Sequence, residues 1–312
     1  MQVFFKFERS SFKLLTGIHV VFIGGDARQL EVIKKCVEMD AAVTLIGFDN
    51  LDSRYQGVHL KDLEEEVLCE ADAIILPIVG TDEQGNVESI FSQKNLRVTR
   101  DHLANVKRTC KIYTGMAKPY LKNLCNEQHI ELIELLDRDD VAIYNSIPTV
   151  EGTLMMTIQN TDFTIHGSNA IVLGFGRTGI TLARVLHYLG AKVKVGARKP
   201  EHIARIFEMG LVPFHTDDLV AQVSDTDLLY NTIPQMIITA KIIANIPHHT
   251  LIIDLASKPG GTDFRFAEKR GIKALLAPGL PGIVAPKTAG NIIANVITKL
   301  ILDQYVSRGG EN

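Results

Sequence analysis

Residues Gly167 to Lys199 read GSNAIVLGFGRTGITLARVLHYLGAKVKVGARK, and this stretch decides the fold. An apolar run, Ala170–Leu173, enters the turn Gly174-Phe175-Gly176-Arg177-Thr178-Gly179. An amphipathic helix follows at once, and a second apolar run ends at Gly196-Ala197-Arg198-Lys199. That order is a βαβ unit of a parallel sheet. Each glycine has its own task. Gly174 allows the tight turn, Gly176 lets a pyrophosphate approach the backbone, and Gly179 lets helix and strand pack closely. The helix N-terminus adds free N–H groups and a positive dipole end. A lone GxGxxG is weak, but strand, helix and second strand in the required order predict a dinucleotide site at Gly174, Gly176, Arg177, Thr178 and Gly179. The bland alternative is a glycine-rich turn that binds nothing.

The end of the second strand separates the cofactors. An NAD site usually carries Asp or Glu there for the ribose 2′-hydroxyl. This chain has Ala197, Arg198 and Lys199, two cations and no carboxylate, which suits the 2′-phosphate of NADP. NAD stays open, because two cations also make an ordinary solvated loop.

The same unit occurs earlier. Gly17 to Asp49 reads GIHVVFIGGDARQLEVIKKCVEMDAAVTLIGFD and aligns without a gap, Gly17 onto Gly167. Later elements echo too: Glu70–Pro77 (EADAIILP) resembles Asp225–Pro234 (DTDLLYNTIP). Two doubly wound, parallel-sheet, Rossmann-like α/β domains in tandem are predicted, with ligands at the C-terminal strand ends. Asp26 and Gln29 stand where the second unit has Gly176 and Gly179. A carboxylate there repels a pyrophosphate, so the first domain is expected to keep the fold without the dinucleotide and to serve substrate or partner.

The expected domains are an extension over 1–15, a flavodoxin- or Rossmann-like domain over 16–150 and an NAD(P)-binding domain over 151–284. The helix 285–305 is expected to join the first. Pro148 suits a helix start, and Val150–Gln159 has helical spacing. In Ala289–Tyr305, residues Ile292, Ile293, Val296, Leu300 and Ile301 share a face. The opening MQVFFKFERSSFKLL is interrupted by Lys6 and Glu8 and has no small-residue cleavage site after it. It reads as a loose extension, or a misassigned start, rather than a signal peptide.

Composition narrows the function classes. Apolar residues are 46% and charged residues 22%, the balance of a globular chain, and the formal charge of -3 gives no basic excess for nucleic acid or anionic membrane. No run approaches the roughly 18 apolar residues of a membrane helix. Cys36, Cys69, Cys110 and Cys125 form no CxxC pair and read as reduced thiols of a cytoplasmic protein. No HxxxH, HExxH or GxSxG motif occurs, so no metal site and no nucleophile elbow are predicted.

Several strand ends are expected to face a cleft. Asn231, Thr232 and Pro234 follow one strand, and Ala256 and Ser257 the next, as further cofactor residues. Lys258, Asp263 and Arg265 lie beyond them, Pro278–Gly282 follows another strand, and Lys287 stands ahead of the last helix. The first domain offers Arg28, Gly80 and Thr81, and the interdomain stretch Asn145 and Ser146. Each loop also reads as plain turn chemistry.

Longer strings carry a family resemblance. Tyr144-Asn145-Ser146-Ile147-Pro148-Thr149-Val150-Glu151-Gly152-Thr153, continued by Thr161–Gly167, resembles the A-subunit family of bacterial dipicolinate synthase. So do Gly24–Leu30, Asp254–Arg265 and Ala277–Gly290, the resemblance running from about Leu15 to about Asp303. It implies an NAD(P)-dependent dehydrogenase that oxidises a dihydrodipicolinate-type precursor to dipicolinate (pyridine-2,6-dicarboxylate) in the mother cell of a sporulating bacterium. It also implies a partner, the flavoprotein-like B subunit, and the tandem layout implies a homo-oligomer as well. A small dicarboxylate substrate calls for cations. Arg28, Lys258, Arg265 and Lys287 are the candidates, with Asp263 or solvent as proton acceptor. Lys258, Asp263 and Lys287 are the catalytic candidates, and Arg28, Gly80, Thr81, Asn145, Ser146 and Arg265 the substrate-binding ones.

Two other readings stay open. Two-domain dehydrogenases of small 2-hydroxy or amino acids share the layout. In the hydroxyacid enzymes, however, a catalytic histidine follows a proline before the last helix, where this chain has Pro278-Gly279. A non-catalytic, nucleotide-sensing protein is the other.

Overall fold

The computed structural model describes residues 14–51 and 57–309, so the predicted extension lies outside it except for Leu14 and Leu15. The chain forms two compact units. One holds the described residues up to Val141 together with those from Pro286 onward, and the other is Ala142–Ala285.

The first unit is built on β1 (His19–Ile23), β2 (Ala42–Ile46), β3 (Val58–Lys61), β4 (Ala73–Ile75), β5 (Lys111–Thr114) and β6 (Glu131–Glu134). They pair in the order β3-β2-β1-β4-β5-β6, every pair parallel. The second unit repeats this with β7 (Asn169–Leu173), β8 (Lys192–Ala197), β9 (Val212–His215), β10 (Leu228–Asn231), β11 (Leu251–Asp254) and β12 (Ala274–Leu276). Their order is β9-β8-β7-β10-β11-β12, again parallel throughout. Both sheets are doubly wound, and the direction of winding reverses beside β1 and beside β7. A crevice opens at such a point, at the C-terminal strand ends.

Central strands of these sheets are covered on both faces and therefore read as unbroken apolar runs. Val20 and Phe22 enter one core with Val32, Ile33 and Cys36, while Val21 and Ile23 enter another on the opposite face. The second unit divides in the same way, Val172 facing one core and Ile171 and Leu173 the other. The repeat extends to single hydrogen bonds. Asp72 Oδ2 accepts from the His19 N–H (2.9 Å) and Asp227 Oδ2 from the Asn169 N–H (2.7 Å). The Gly24 N–H donates to Ile46 and the Gly174 N–H to Gly196.

Five helices position the sites: α1 (Ala27–Glu38), α2 (Asp139–Asn160), α3 (Arg177–Tyr188), α4 (Phe264–Lys269) and α5 (Pro286–Gly309). Helix α2 corrects an expectation. Pro148 does not start it, because α2 already begins at Asp139 and runs through the proline. Proline removes one ladder N–H from a helix interior. Here the long helix tolerates that loss, because Val150, Thr153 and Thr157 beyond the proline are buried. Asn145 and Ser146 consequently lie on a helix, not in a loop.

Helix α5 packs on α1. Ile293, Ala294, Ile297 and Ile301 share a core with Val32, Ile33 and Cys36. The approach is close enough to require glycine: a Cβ on Gly290 would sit 2.5 Å from the Arg28 carbonyl oxygen. Burial pushes the Cys36 and Cys125 thiols up to about 12, which keeps them protonated and inert. Among the described residues no helix is long and apolar enough to cross a membrane, and no cluster of His, Cys, Asp and Glu is placed to hold a metal.

Gly290→Val should force α5 off α1 and lower stability by about 1–3 kcal/mol, the range for overpacking a tight contact. Asn295→Ala, on the exposed side of α5, should stay within about 0.5 kcal/mol. Urea unfolding checks both, and an unchanged midpoint for Gly290→Val would contradict this account of the α1–α5 contact.

Candidate functional site

In the second unit β7 passes to α3 through Gly174-Phe175-Gly176. Gly174 takes φ +97°, and a Cβ there would stand 2.4 Å from Thr232 Oγ1. Gly179 is tighter still, because a Cβ would fall 2.2 Å from the Gly174 carbonyl oxygen. Thr232 locks the turn from the neighbouring strand end, donating both its N–H (2.9 Å) and its hydroxyl (2.8 Å) to the Leu173 carbonyl. Phe175 is buried and its ring lies against His202.

Gly176 differs from the other two. It is exposed, has an ordinary φ of -94°, and a Cβ added to it meets nothing within 4 Å. It is also the N-cap of α3 and has no side chain to cap with. The helix therefore starts beside open space at Gly176, and a helix N-terminus with room beside it is the arrangement that receives a pyrophosphate. These residues fit a dinucleotide: the two crowded glycines build the turn, and the uncrowded one leaves the room.

The end of β8 adjoins this turn. Ala197 is buried, while Arg198 and Lys199 are exposed. Lys199 comes only within 4.0 Å of Glu201, and among the described residues none pairs with Arg198. Thr178 is half-buried and Arg177 exposed.

The β10 and β11 ends are held by a carboxylate that sequence reading did not single out. Asp254 is fully buried. Its Oδ1 accepts from Asn231 Nδ2 (3.0 Å) and the Ala256 N–H (3.0 Å), and its Oδ2 from the Gly261 N–H (2.8 Å) and Thr262 Oγ1 (2.6 Å). Four donors satisfy the charge without a cation, which is how a buried carboxylate is tolerated. Gly261 is required, because a Cβ would lie 2.3 Å from the Gln235 carbonyl oxygen. Asn231 is itself fully buried, and among the described residues its amide bonds Asp254 and Ile233 alone, so it shapes the strand end. The available signal was an acidic residue closing the apolar strand LIID.

Around this hub Ala256 is buried, and Ser257, Lys258, Pro234 and Arg265 are exposed. Asp263 caps α4, Oδ1 accepting from the Phe266 N–H at 2.9 Å. Ser146 on α2 is buried; it donates to the Ile143 carbonyl and bonds Thr181 of α3 at 2.7 Å. Asn145 is half-buried, and its carbonyl accepts from Thr149.

In the first unit Gly80 and Thr81 are buried. Gly80 turns at φ +65°, and the Thr81 hydroxyl donates to the Asp82 carbonyl. Arg28 stands in the first turn of α1, paired with Asp26. Lys287 is exposed in the first turn of α5, one turn before Gly290 meets the Arg28 carbonyl. The fold thus brings Arg28 and Lys287 to the same end of the first unit, while the glycine turn, Arg198, Thr232 and Ser257 share the strand ends of the second.

A family model for the N-terminal domain of the dipicolinate synthase A subunit matches residues 19–136. The A subunit of dipicolinate synthase from Bacillus subtilis (strain 168) is 53% identical over 296 residues, covering 95% of this chain and 100% of that protein. The solved structure of the Bacillus halodurans A subunit superposes with a TM-score of 0.90 at 54% identity, over 92% of this chain and 99% of that one. The solved structure of its Bacillus subtilis counterpart superposes with a TM-score of 0.92 at 52% identity, over 95% and 100%.

Gly176→Asp should abolish dinucleotide binding without harming the fold, since its side chain enters open space and brings only a charge. Fluorescence titration with NADPH checks this. A titration equal to that of the unaltered protein would remove the turn as the pyrophosphate site.

Proposed function

This chain belongs to the A-subunit family of dipicolinate synthase, and from that premise we propose that it is the dehydrogenase that oxidises a dihydrodipicolinate-type precursor to dipicolinate. The observation that carries the reading is the uncapped, uncrowded Gly176 at the start of α3, between two glycines that the turn cannot do without.

The chemistry is favourable. Loss of a hydride from one ring carbon and a proton from its neighbour gives an aromatic pyridine, so the protein's main task is to hold ring and cofactor in register. A nicotinamide dinucleotide, when bound, would supply the hydride acceptor. Gly174, Gly176, Arg177, Thr178 and Gly179 would hold its pyrophosphate, with Thr232, Pro234, Ala256 and Ser257 beside them. Arg198 and Lys199, exposed beyond buried Ala197, favour NADP over NAD. Of the cations suited to a carboxylate of the substrate, Arg28 and Lys287 belong to the first unit and Lys258 and Arg265 to the second. Asp263 already caps α4, which makes solvent the simpler proton acceptor. Gly80, Thr81, Asn145 and Ser146 act by shaping their turns and helix.

The reading includes a flavoprotein-like B subunit for partner, self-association, and work in the cytoplasm of the mother cell. The hydroxyacid alternative lacks its histidine, since Gly279 follows Pro278. The nucleotide-sensing alternative predicts NADPH binding with no turnover, whether or not the partner is present.

The test is near-ultraviolet absorbance of the nicotinamide, with freshly generated dihydrodipicolinate, in the presence and absence of the B subunit. Cofactor reduction coupled to dipicolinate formation is expected, and tight NADPH binding without turnover would overturn the reading. Arg198→Ala should weaken NADPH by roughly 1–3 kcal/mol, the worth of charge-assisted hydrogen bonds, and spare NADH. Equal losses for both would remove the 2′-phosphate assignment.

A further inference from the structure

The turn after β1 is the counterpart of the turn after β7, with its chemistry inverted. Helix α3 begins at a residue without a side chain, whereas α1 begins at Asp26. Asp26 Oδ1 accepts from the Arg28 N–H at 2.9 Å, so the anion at this helix end belongs to the chain itself. Both carboxylate oxygens also grip the Arg28 side chain. Nε donates to Oδ1 (3.0 Å) and Oδ2 (3.1 Å), and Nη2 to Oδ2 (2.5 Å). Burial alone would push the Asp26 carboxyl up, but the Arg28 hydrogen bonds and charge outweigh it and hold the group below the usual carboxylate range. Gln29 closes the floor, donating from Nε2 to the Leu76 carbonyl at 2.9 Å.

A guanidinium has two forks that match a carboxylate. Asp26 takes the fork made by Nε and Nη2. The fork made by Nη1 and Nη2 remains, and among the described residues no group other than Asp26 accepts from this side chain. Its position is fixed, because the side chain is only 16% exposed. Helix α5 is pinned beside it. Gly290 lies on the Arg28 carbonyl, and Asn291 Nδ2 donates to the Lys287 carbonyl at 2.9 Å and reaches Glu31 at 3.4 Å. The exposed Lys287 therefore starts its helix next to the first turn of α1.

We propose that Asp26 is a positioning residue for Arg28, and that it converts the glycine turn of the first unit from a pyrophosphate site into a carboxylate seat. Arg28 offers its outer fork, and Lys287 adds a second cation for a small dicarboxylate. The proposal rests on the dicarboxylate reading given above. Asp26 itself occupies the helix-start N–H of Arg28 that a pyrophosphate would use.

The test uses the full chain, with pyridine-2,6-dicarboxylate titrated calorimetrically and the precursor KM measured in the presence of the flavoprotein-like partner. Asp26→Asn keeps the shape and the N-cap, since Asn caps as well as Asp, yet loses the charged grip. It should weaken dicarboxylate binding and raise KM roughly tenfold, with kcat and NADPH affinity little changed. Arg28→Ala should lose more, and Lys287→Gln should weaken binding by a smaller factor. Asp26→Asn added to Arg28→Ala should then change nothing further, because its effect runs through the arginine. Absence of dicarboxylate binding by the unaltered protein, or an equal effect of Asp26→Asn with and without Arg28, would overturn the proposal. Arg28-dependent binding with no turnover would leave the seat standing and remove the reaction. Turnover with KM insensitive to both residues would do the reverse.

Discussion

The tightest backbone approach that a glycine allows among the described residues of the second unit is that of Gly179 to the carbonyl of Gly174. A single methyl at Gly179 would stand 2.2 Å from that oxygen, so the first turn of α3 can lie against the end of β7 only because no side chain separates them. The rest follows from this closeness. It brings the helix N-terminus to the strand ends, places Thr232 where both its donors reach the Leu173 carbonyl, and leaves Gly176 outermost with free space beside it. A helix N-terminus held at a strand end, with no side chain filling it, can bind an anion through backbone alone.

The chain uses this device twice, with opposite results. Where the second unit leaves the helix end open, the first fills it with Asp26 and pairs that charge with Arg28. One βα turn is thus left without a side chain at the helix start and the other displays an arginine. A third carboxylate, Asp254, has a different task. Fully buried and bonded by four donors, it ties the ends of β10 and β11 to the backbone of the following loop. Ser257 and Lys258, exposed on that loop, owe their placement to a group that never meets solvent.

The fold was legible because two periodic signals agreed. Apolar runs such as VVFI and AIVL, each followed by a glycine turn and an amphipathic helix, specify a doubly buried parallel strand, and their repetition specified two sheets. Helix α2 was less legible. Pro148 and the polar run Asn145–Thr149 look like a break, and only burial of Ser146, Val150 and Thr153 in the second unit explains why the helix continues. Within the site, the tight turn at Gly174 and the close packing at Gly179 could be read from spacing, since they concern the backbone. The roles of Asn231, Thr81 and Ser146 could not. Whether a polar side chain faces a ligand or bonds its neighbour depends on partners distant in sequence, such as Asp254 for Asn231 and Thr181 for Ser146. Asp26 was legible only as an obstacle to pyrophosphate; that it grips Arg28 needed coordinates.

Hydride transfer from a ring carbon of the precursor to the nicotinamide is the step on which the proposed function rests. The most direct measurement uses a precursor deuterated at its ring carbons, incubated with this chain, NADP and the B subunit, followed by mass spectrometry of the recovered cofactor. The account predicts one deuterium on the nicotinamide for each dipicolinate formed. Dipicolinate formed with unlabelled cofactor, the deuterium passing to water or to another acceptor, would contradict it.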